Sequence, residues 1–406
     1  MSASVYSASF RLYLISRFAA GTAMTLLRTA IGWHVFALSH SALHLGLIGV
    51  AQFVPSFVLN LVGGVVADIY DRRKIMMLAQ STSLVGGAVL WLATSHEHVG
   101  LQLLYATVVL GAVANAFDFP ARAALLPTLV APGAFPRAVT AASTAQALAF
   151  VTGPALGGMV IAAAGIGSAY AVYVALILGS VVGLAVLELP SRRGTVSALS
   201  LRAVREGLQF VRRQPVILGC MLLDMLAVVF GGAAALLPLY AEDILRVGAR
   251  GYGVLSASLE AGALLMSLAL MVLPPIRRAG RALLLAVGVF GVATIVFGLS
   301  RSFPLSVCAY ITVGMADQVS VVMRSTAIQL STPDELRGRV SSVNFMFIAA
   351  SNQLGAAESG LVAAITSAPF AVVSGGIVSL LVLVLIAITL PELRQYRTDI
   401  TSPQAG

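Results

Sequence analysis

Gly64-Val65-Val66-Ala67-Asp68-Ile69-Tyr70-Asp71-Arg72-Arg73-Lys74 is the stretch on which the fold of this 406-residue chain turns. From Asp68 onward it is dense in charge, yet it is bounded on both sides by long runs without any. Residues 45–67 hold no Asp, Glu, Lys or Arg, and neither do residues 75–95. A helix that crosses a bilayer needs about 20 mainly apolar residues, and both runs meet that length. The turn between them is short, so the two helices must be antiparallel neighbours.

The rest of the chain repeats this pattern. Hydrophobic residues make up 59% and charged residues only 10%, against roughly 25% charged in soluble domains. One aqueous core could not hide so much apolar surface, so lipid is the solvent for most of the chain. The net charge of +9 is scattered in clusters between apolar runs. No basic face with interleaved aromatics is present, which argues against nucleic acid. Cys220 and Cys308 sit alone in apolar runs and are expected to be buried and inert, with no disulfide framework and no metal site. The first apolar run, from Leu12 to Leu38, exceeds the roughly 7–15 residues of a signal-peptide core and reads as a membrane helix.

Twelve segments of spanning length follow, starting near Leu12, Leu45, Ile75, Leu101, Val139, Ala169, Val216, Tyr252, Ala282, Leu305, Val340 and Phe370. The last ends near Leu390. Of the 25 basic residues, Arg246, Arg250 and Arg301 lie on one side, Arg17 and Arg28 lie inside the first span, and the others share the opposite side. By the positive-inside rule that richer side is cytoplasmic and holds both termini. The long connection between Pro190 and Pro215 places Leu201, Val204, Leu208 and Val211 on one helical face, opposite Arg202, Arg205 and Arg212. It is expected to lie along the anionic inner leaflet rather than to serve as a platform for a partner protein.

The two halves echo each other. Leu45-Gly46-Leu47-Ile48 matches Tyr252-Gly253-Val254-Leu255, Arg73 matches Arg278, and Arg122 ahead of Pro132 matches Arg324 ahead of Pro333. The expected organisation is a six-helix bundle over residues 1–189, an amphipathic linker over 190–214, a second six-helix bundle over 215–391 and a tail over 392–406. Six plus six helices in parallel repeat is a transporter architecture.

The quoted turn resembles the signature that the major facilitator superfamily carries between helices two and three, with Gly64, Asp68, Arg72 and Arg73 in the matching places. A small residue lets helices approach, and the acid and arginines can pair and cap at a closed cytoplasmic gate. Ile69 and Asp71 depart from the pattern, standing where a basic residue and a glycine are usual. In the fifth span, Gly153-Pro154-Ala155-Leu156-Gly157-Gly158 resembles the helix-five motif of the superfamily's exporters and antiporters. The proline removes a backbone hydrogen bond and the glycines permit a bend and tight packing. Phe117-Asp118-Phe119-Pro120-Ala121-Arg122 with Leu125-Leu126-Pro127, Pro333 to Val340, and Ser41-Ala42-Leu43 with Gly46 are similar to the branch that includes the enterobactin exporter and macrolide efflux pumps. The resemblance covers nearly the whole chain. It implies an all-α membrane protein in the inner membrane, exporting a small amphipathic molecule (a siderophore, drug or metabolite) by proton-driven alternating access, with import as the alternative.

Charges inside a membrane are costly, by roughly 2.5–3.5 kcal/mol on insertion scales, and commonly line a cavity or pair. Spans three, six, nine and twelve carry none in their cores. The charges fall in span one (Arg28), four (Asp118, Arg122), seven (Asp224), eight (Glu260), ten (Asp317, Arg324) and eleven (Glu358). A carboxylate in a partly dry cavity can take up and release a proton at physiological pH, which makes Asp224 the leading proton site, with Asp317 or Glu260 next. A second reading stands beside it, in which Asp224 is a fixed counter-ion of Arg28. Asp118 and Arg122, four apart with the acid first, are read as gating groups acting through Arg72 or Arg73. Glu358 is open between packing and pathway. His34 reads as a hydrogen-bonded structural group, and Trp33 and Trp91 as interfacial anchors.

ATP is not the expected energy source: the sole lysine, Lys74, cannot form a Gly-Lys-Ser/Thr phosphate loop. An integral membrane enzyme would need a cluster of catalytic groups, and His96-Glu97-His98 in a short outer loop is a weak one. The chain is read as a transporter that is not an enzyme, has no cofactor, works as a monomer and takes as partners protons, a small-molecule cargo and the bilayer.

Overall fold

A computed structural model describes residues 7–187, 201–274 and 276–397, leaving the side chains at 60–62, 64, 65, 67, 68, 132 and 201–204 outside the described set. The elements, in order, are α1 (Ala8–Ser39), α2 (Ala42–Ile69), α3 (Arg72–Ser95), α4 (Leu101–Leu125), α5 (Phe135–Val186), α6 (Leu201–Arg213), α7 (Pro215–Gly231), α8 (Gly248–Val272), α9 (Ala279–Leu299), α10 (Phe303–Leu330), α11 (Asp334–Ile365), α12 (Ala368–Thr389) and the short α13 (Pro391–Gln395). No strand occurs among the described residues.

Among the described residues, nine helical stretches are long and apolar enough to cross a membrane by length and composition. The twelve expected segments are nevertheless all helical. α5 counts once but holds two spans, because Gly165 (φ 81°, ψ 172°) breaks its 52 residues into two arms. Its backbone there lies in the positive-φ region that glycine enters without steric cost. α1 and α11 are long enough to span but carry more polar residues. Span seven is interrupted: after α7, Gly232 leaves the helical region (φ −77°, ψ 88°), and short turns including a π-helical Tyr240–Ile244 carry the chain on.

Local signals explain the helix starts. The Ser7 hydroxyl accepts from the Phe10 amide (3.1 Å) and caps α1. Asp71, one of the two residues that depart from the family signature, accepts from the amides of Arg73 (2.9 Å) and Lys74 (3.4 Å) and caps α3. An acidic N-cap satisfies donors that the first turn leaves unpaired and meets the positive end of the helix dipole.

The chain divides into two compact units. One comprises residues up to 199 together with 234–260, and the other comprises 200–233 together with everything from 261 on. In the first, Leu26, Phe36, Leu90, Leu104, Tyr170 and Tyr173 form a buried core. In the second, Leu223, Leu283, Val287, Met323 and Ile386 do so. Outward, large apolar side chains are bare: Val272 is 88% exposed and Ile388 74%. Such surfaces suit lipid and not water.

Lipid tails are as apolar as leucine, so helix association rests on close packing rather than on expelling water. A Cβ built on Gly63 of α2 would lie 2.1 Å from the Ala116 carbonyl oxygen of α4, and one on Gly262 of α8 would lie 2.1 Å from the Ile311 carbonyl oxygen of α10. These are equivalent helix pairs of the two repeats. Gly153 against Thr25 (α5 on α1) and Gly355 against Val228 (α11 on α7) form a second such set.

The carboxyl-terminal half of the apolar stripe of α6 is covered by protein rather than by lipid. Leu208 and Val211 pack on Ile217, Met221, Ile328, Val340 and Val343, and Glu206 pairs with Arg339 of α11. Burial of that stripe against protein leaves Arg205, Arg212 and Arg213 exposed.

Candidate transport site

Asp317, Ser320 and Arg324 are spaced i, i+3, i+7 and so share one face of α10. Asp224 of α7 meets that face. The Arg324 guanidinium pairs with Asp224 Oδ2, and the Ser320 hydroxyl lies 3.5 Å from Asp224 Oδ1. Arg324 is 2% exposed and Asp224 6%. Among the described residues, Arg324 Nε has no hydrogen-bond partner. Beside the pair lies a cavity of about 10 Å³ lined by Asp224, Ala227, Phe290, Ala316, Asp317 and Ser320. That volume accommodates about one water molecule between polar walls. It is far too small for cargo.

The fixed pair of Asp224 with Arg28 is therefore corrected: the counter-ion of Asp224 is Arg324, of its own unit. Arg324, counted with the cytoplasmic cations and also among the charges of span ten, is fully buried.

The amino-terminal unit holds a related network. Arg122 pairs with Asp118 on its own helix, α4. Gln80 Nε2 of α3 donates to Asp118 Oδ1 (3.1 Å), and the Ser180 hydroxyl, on the second arm of α5, lies 2.9 Å from Gln80 Oε1 and 3.0 Å from the Ser16 carbonyl oxygen of α1. Four helices are thus cross-linked through buried polar atoms. Arg17 is tied as well: its Nε donates to the Ala142 carbonyl oxygen (3.0 Å) and a terminal nitrogen donates to the Tyr13 hydroxyl (3.2 Å).

The repeat explains how the two networks differ. If Arg122 corresponds to Arg324, the position equivalent to Asp118 is Ser320. The acid that α10 lacks is supplied by α7 as Asp224. The first repeat makes its ion pair within one helix and the second makes it between two.

Arg72 donates to the Ala124 carbonyl oxygen of α4 (2.9 Å) and Arg73 to the Ala185 carbonyl oxygen of α5. They cap helix C-termini, where cations meet the negative dipole end, and the Asp118–Arg122 pair closes on itself and on Gln80 rather than on them. The gating candidates Gly64 and Asp68 lie outside the described side chains. The helix-five motif packs on both sides. A Cβ on Gly153 would meet Thr25 of α1, one on Gly157 would touch Leu26 at 3.5 Å, and one on Gly158 would lie 2.5 Å from Gly253 Cα of α8. Gly253 would in turn meet the Pro154 carbonyl oxygen at 2.7 Å.

Arg28 is exposed on α1, and its charge acts on Glu260 and Tyr252 of α8. Glu358 lies at the interruption of span seven: the Ser359 hydroxyl contacts the Gly232 carbonyl oxygen (2.9 Å) and a Glu358 carboxylate oxygen (3.3 Å). His34 Nδ1 is 2.9 Å from the Tyr170 hydroxyl, as a structural histidine requires. Trp33 is half-buried and stacks on Tyr252 with ring centroids 5.8 Å apart. Trp91, 40% exposed, is free to serve as an interfacial anchor. Cys220 is buried as expected, and Cys308 is exposed, contrary to expectation. No group of three or more metal-ligating residues exists among the described residues.

A family profile described as "Transmembrane secretion effector" matches residues 2–404. The chain belongs to this family of major facilitator transporters. Curated relatives include the enterobactin exporter EntS of Escherichia coli O1:K1 / APEC, 27% identical over 98% of this chain and 94% of the relative. EntS of Shigella boydii serotype 18 is likewise 27% identical, over 98% and 94%. Among solved structures, a POT family transporter in complex with 5-aminolevulinic acid superposes with a TM-score of 0.73 at 12% identity, covering 95% of this chain and 96% of that one. An inward-facing bacterial homologue of the human lysosomal transporter Spinster gives 0.69 at 15% identity, covering 96% and 97%. The transporter therefore has the all-α major facilitator fold. It is a multi-pass bacterial membrane protein, a secondary transporter of an exporting branch that moves a small molecule.

Proposed function

We propose that the transporter exports an amphipathic siderophore, drug or metabolite by proton antiport, with Asp224 as the proton site. The observation that carries this reading is the buried Asp224–Arg324 pair beside a cavity for about one water. Ionised Asp224 holds Arg324 and so ties α7 to α10. A proton on the carboxylate removes that attraction, and the released guanidinium turns toward Ser320 and Asp317 on its own face. Protonation is thereby converted into slack between two helices, which is what a proton-driven alternation of access needs.

The reading keeps both termini cytoplasmic, keeps the division into six-helix bundles at 1–189 and 215–391, and treats the protein as a monomer without ATP. Import by the same fold is not favoured, since the relatives matched over nearly the whole chain are named exporters. Everted vesicles with an acid interior test the proposal: the wild type should accumulate a candidate cargo on the imposed pH gradient, and Asp224→Asn should not. Gradient-driven accumulation by Asp224→Asn would remove Asp224 from the proton path.

A further inference from the structure

Trp33 stacks on Tyr252, and a Cβ on Gly32 would lie 2.8 Å from the Tyr252 hydroxyl. These contacts set the register of α1 against α8 within the amino-terminal unit. One turn back from Gly32 on α1 is Arg28. One turn on from Tyr252 on α8 is Ser256, whose side chain hydrogen-bonds the Tyr252 hydroxyl, and one turn further is Glu260. Helical spacing of four keeps each set on one face. Arg28 therefore sits level with Ser256 and within the reach of its long side chain from Glu260.

Two facts about Arg28 stand out. It is exposed, although its neighbours Leu26, Thr29 and Ala30 are buried. It also forms no hydrogen bond or ion pair among the described residues, unlike Arg17, Arg122 and Arg324. Its charge is felt by Glu260 only through space. A guanidinium inside a membrane span, left with its donors uncommitted, cannot rest against acyl chains without a large cost. It calls for water or for an anion.

We infer that Arg28 is the cargo-recognition group for an oxyanion, and that the exported molecule is an amphipath bearing a carboxylate or a chemically equivalent acidic oxygen. The inference rests on the export reading above and names its substrate class. A planar fork of N–H donors matches two oxygens of one anionic group. Glu260, one turn beyond Ser256 on α8, is the acid available to balance Arg28 when the site holds no cargo. A lysine would supply the charge without the fork, so Arg28→Lys separates attraction from geometry.

The test uses full-length protein in proteoliposomes with two dyes, anionic 5-carboxyfluorescein and cationic rhodamine 6G. The wild type should bind and move carboxyfluorescein in preference to rhodamine. Arg28→Gln should weaken carboxyfluorescein binding at least tenfold and leave rhodamine unchanged or improved, and Arg28→Lys should fall between. Thermal unfolding of each variant, matched to wild type, shows that folding is intact. Unchanged carboxyfluorescein binding by Arg28→Gln, preference for rhodamine, or binding of neither dye overturns the inference. Intact carboxyfluorescein binding without response to a pH gradient would instead overturn proton antiport and leave the anion site standing.

Discussion

Arg324 of α10 and Asp224 of α7 form a buried ion pair between helices, at the place where the first repeat pairs Arg122 with Asp118 inside one helix. Removing one member of a buried pair leaves an uncompensated charge, at a cost of about 3–5 kcal/mol. Arg324→Ala and Asp224→Ala should each lower the unfolding temperature of purified protein. The double variant should recover much of that loss while still failing in gradient-driven transport. A double-mutant cycle without coupling would show that the pair contributes nothing.

Glu206 and Arg339 give the contrasting case. Their side chains are 34% and 41% exposed, and pairs with that much access to water are worth about 0–1 kcal/mol. Glu206→Gln should leave stability nearly unchanged, with any small effect vanishing at high salt.

Gln80 joins Asp118 to Ser180 from the middle of α3. Gln80→Leu keeps the volume and deletes both contacts, leaving buried polar groups short of a partner at about 1–3 kcal/mol. Thermal unfolding should fall accordingly, and Gln80→Glu should fall further by placing a second acid against Asp118. Stability equal to wild type in both variants would contradict the cross-link.

Backbone meets backbone where Gly158 faces Gly253. Gly158→Ala puts a methyl group 2.5 Å from Gly253 Cα and 2.7 Å from the Ala249 carbonyl oxygen. Overpacking of this kind costs about 1–3 kcal/mol or more, so yield of folded protein and transport should both drop. Gly179→Ala, with nothing within 4 Å, should be tolerated. Equal behaviour of the two variants would mean that α5 and α8 do not approach in this way.

Much of the architecture was readable from residues alone, because bilayer thickness imposes a length that the apolar runs display. All twelve segments are helical, and close glycine contacts are found at Gly63–Ala116 in the first half and at Gly262–Ile311 in the second. Partners were less readable. Charge alone singles out Asp224 but leaves its counter-ion open, since Arg324 lies near enough to the basic Arg337 and Arg339 to be counted with them. The spacing Asp317, Ser320, Arg324 on one helical face was the signal that could have shown it facing inward. Asp71 looked like a flaw in a motif and is a helix cap. Gln80 and Ser180 carry no charge, so a census of charges passed over both. The apolar stripe of α6 announced that something apolar covers it, without saying whether lipid or protein does.

The two cysteines have a practical use. With Cys220 sealed in the core and Cys308 bare on the second turn of α10, the native chain offers a single reachable thiol. A maleimide fluorophore or spin label should attach there in the folded state and gain a second position only on denaturation. Counting labels per chain before and after unfolding would thus measure global integrity, and the attached probe would report motion of α10 in a protein with no engineered residue.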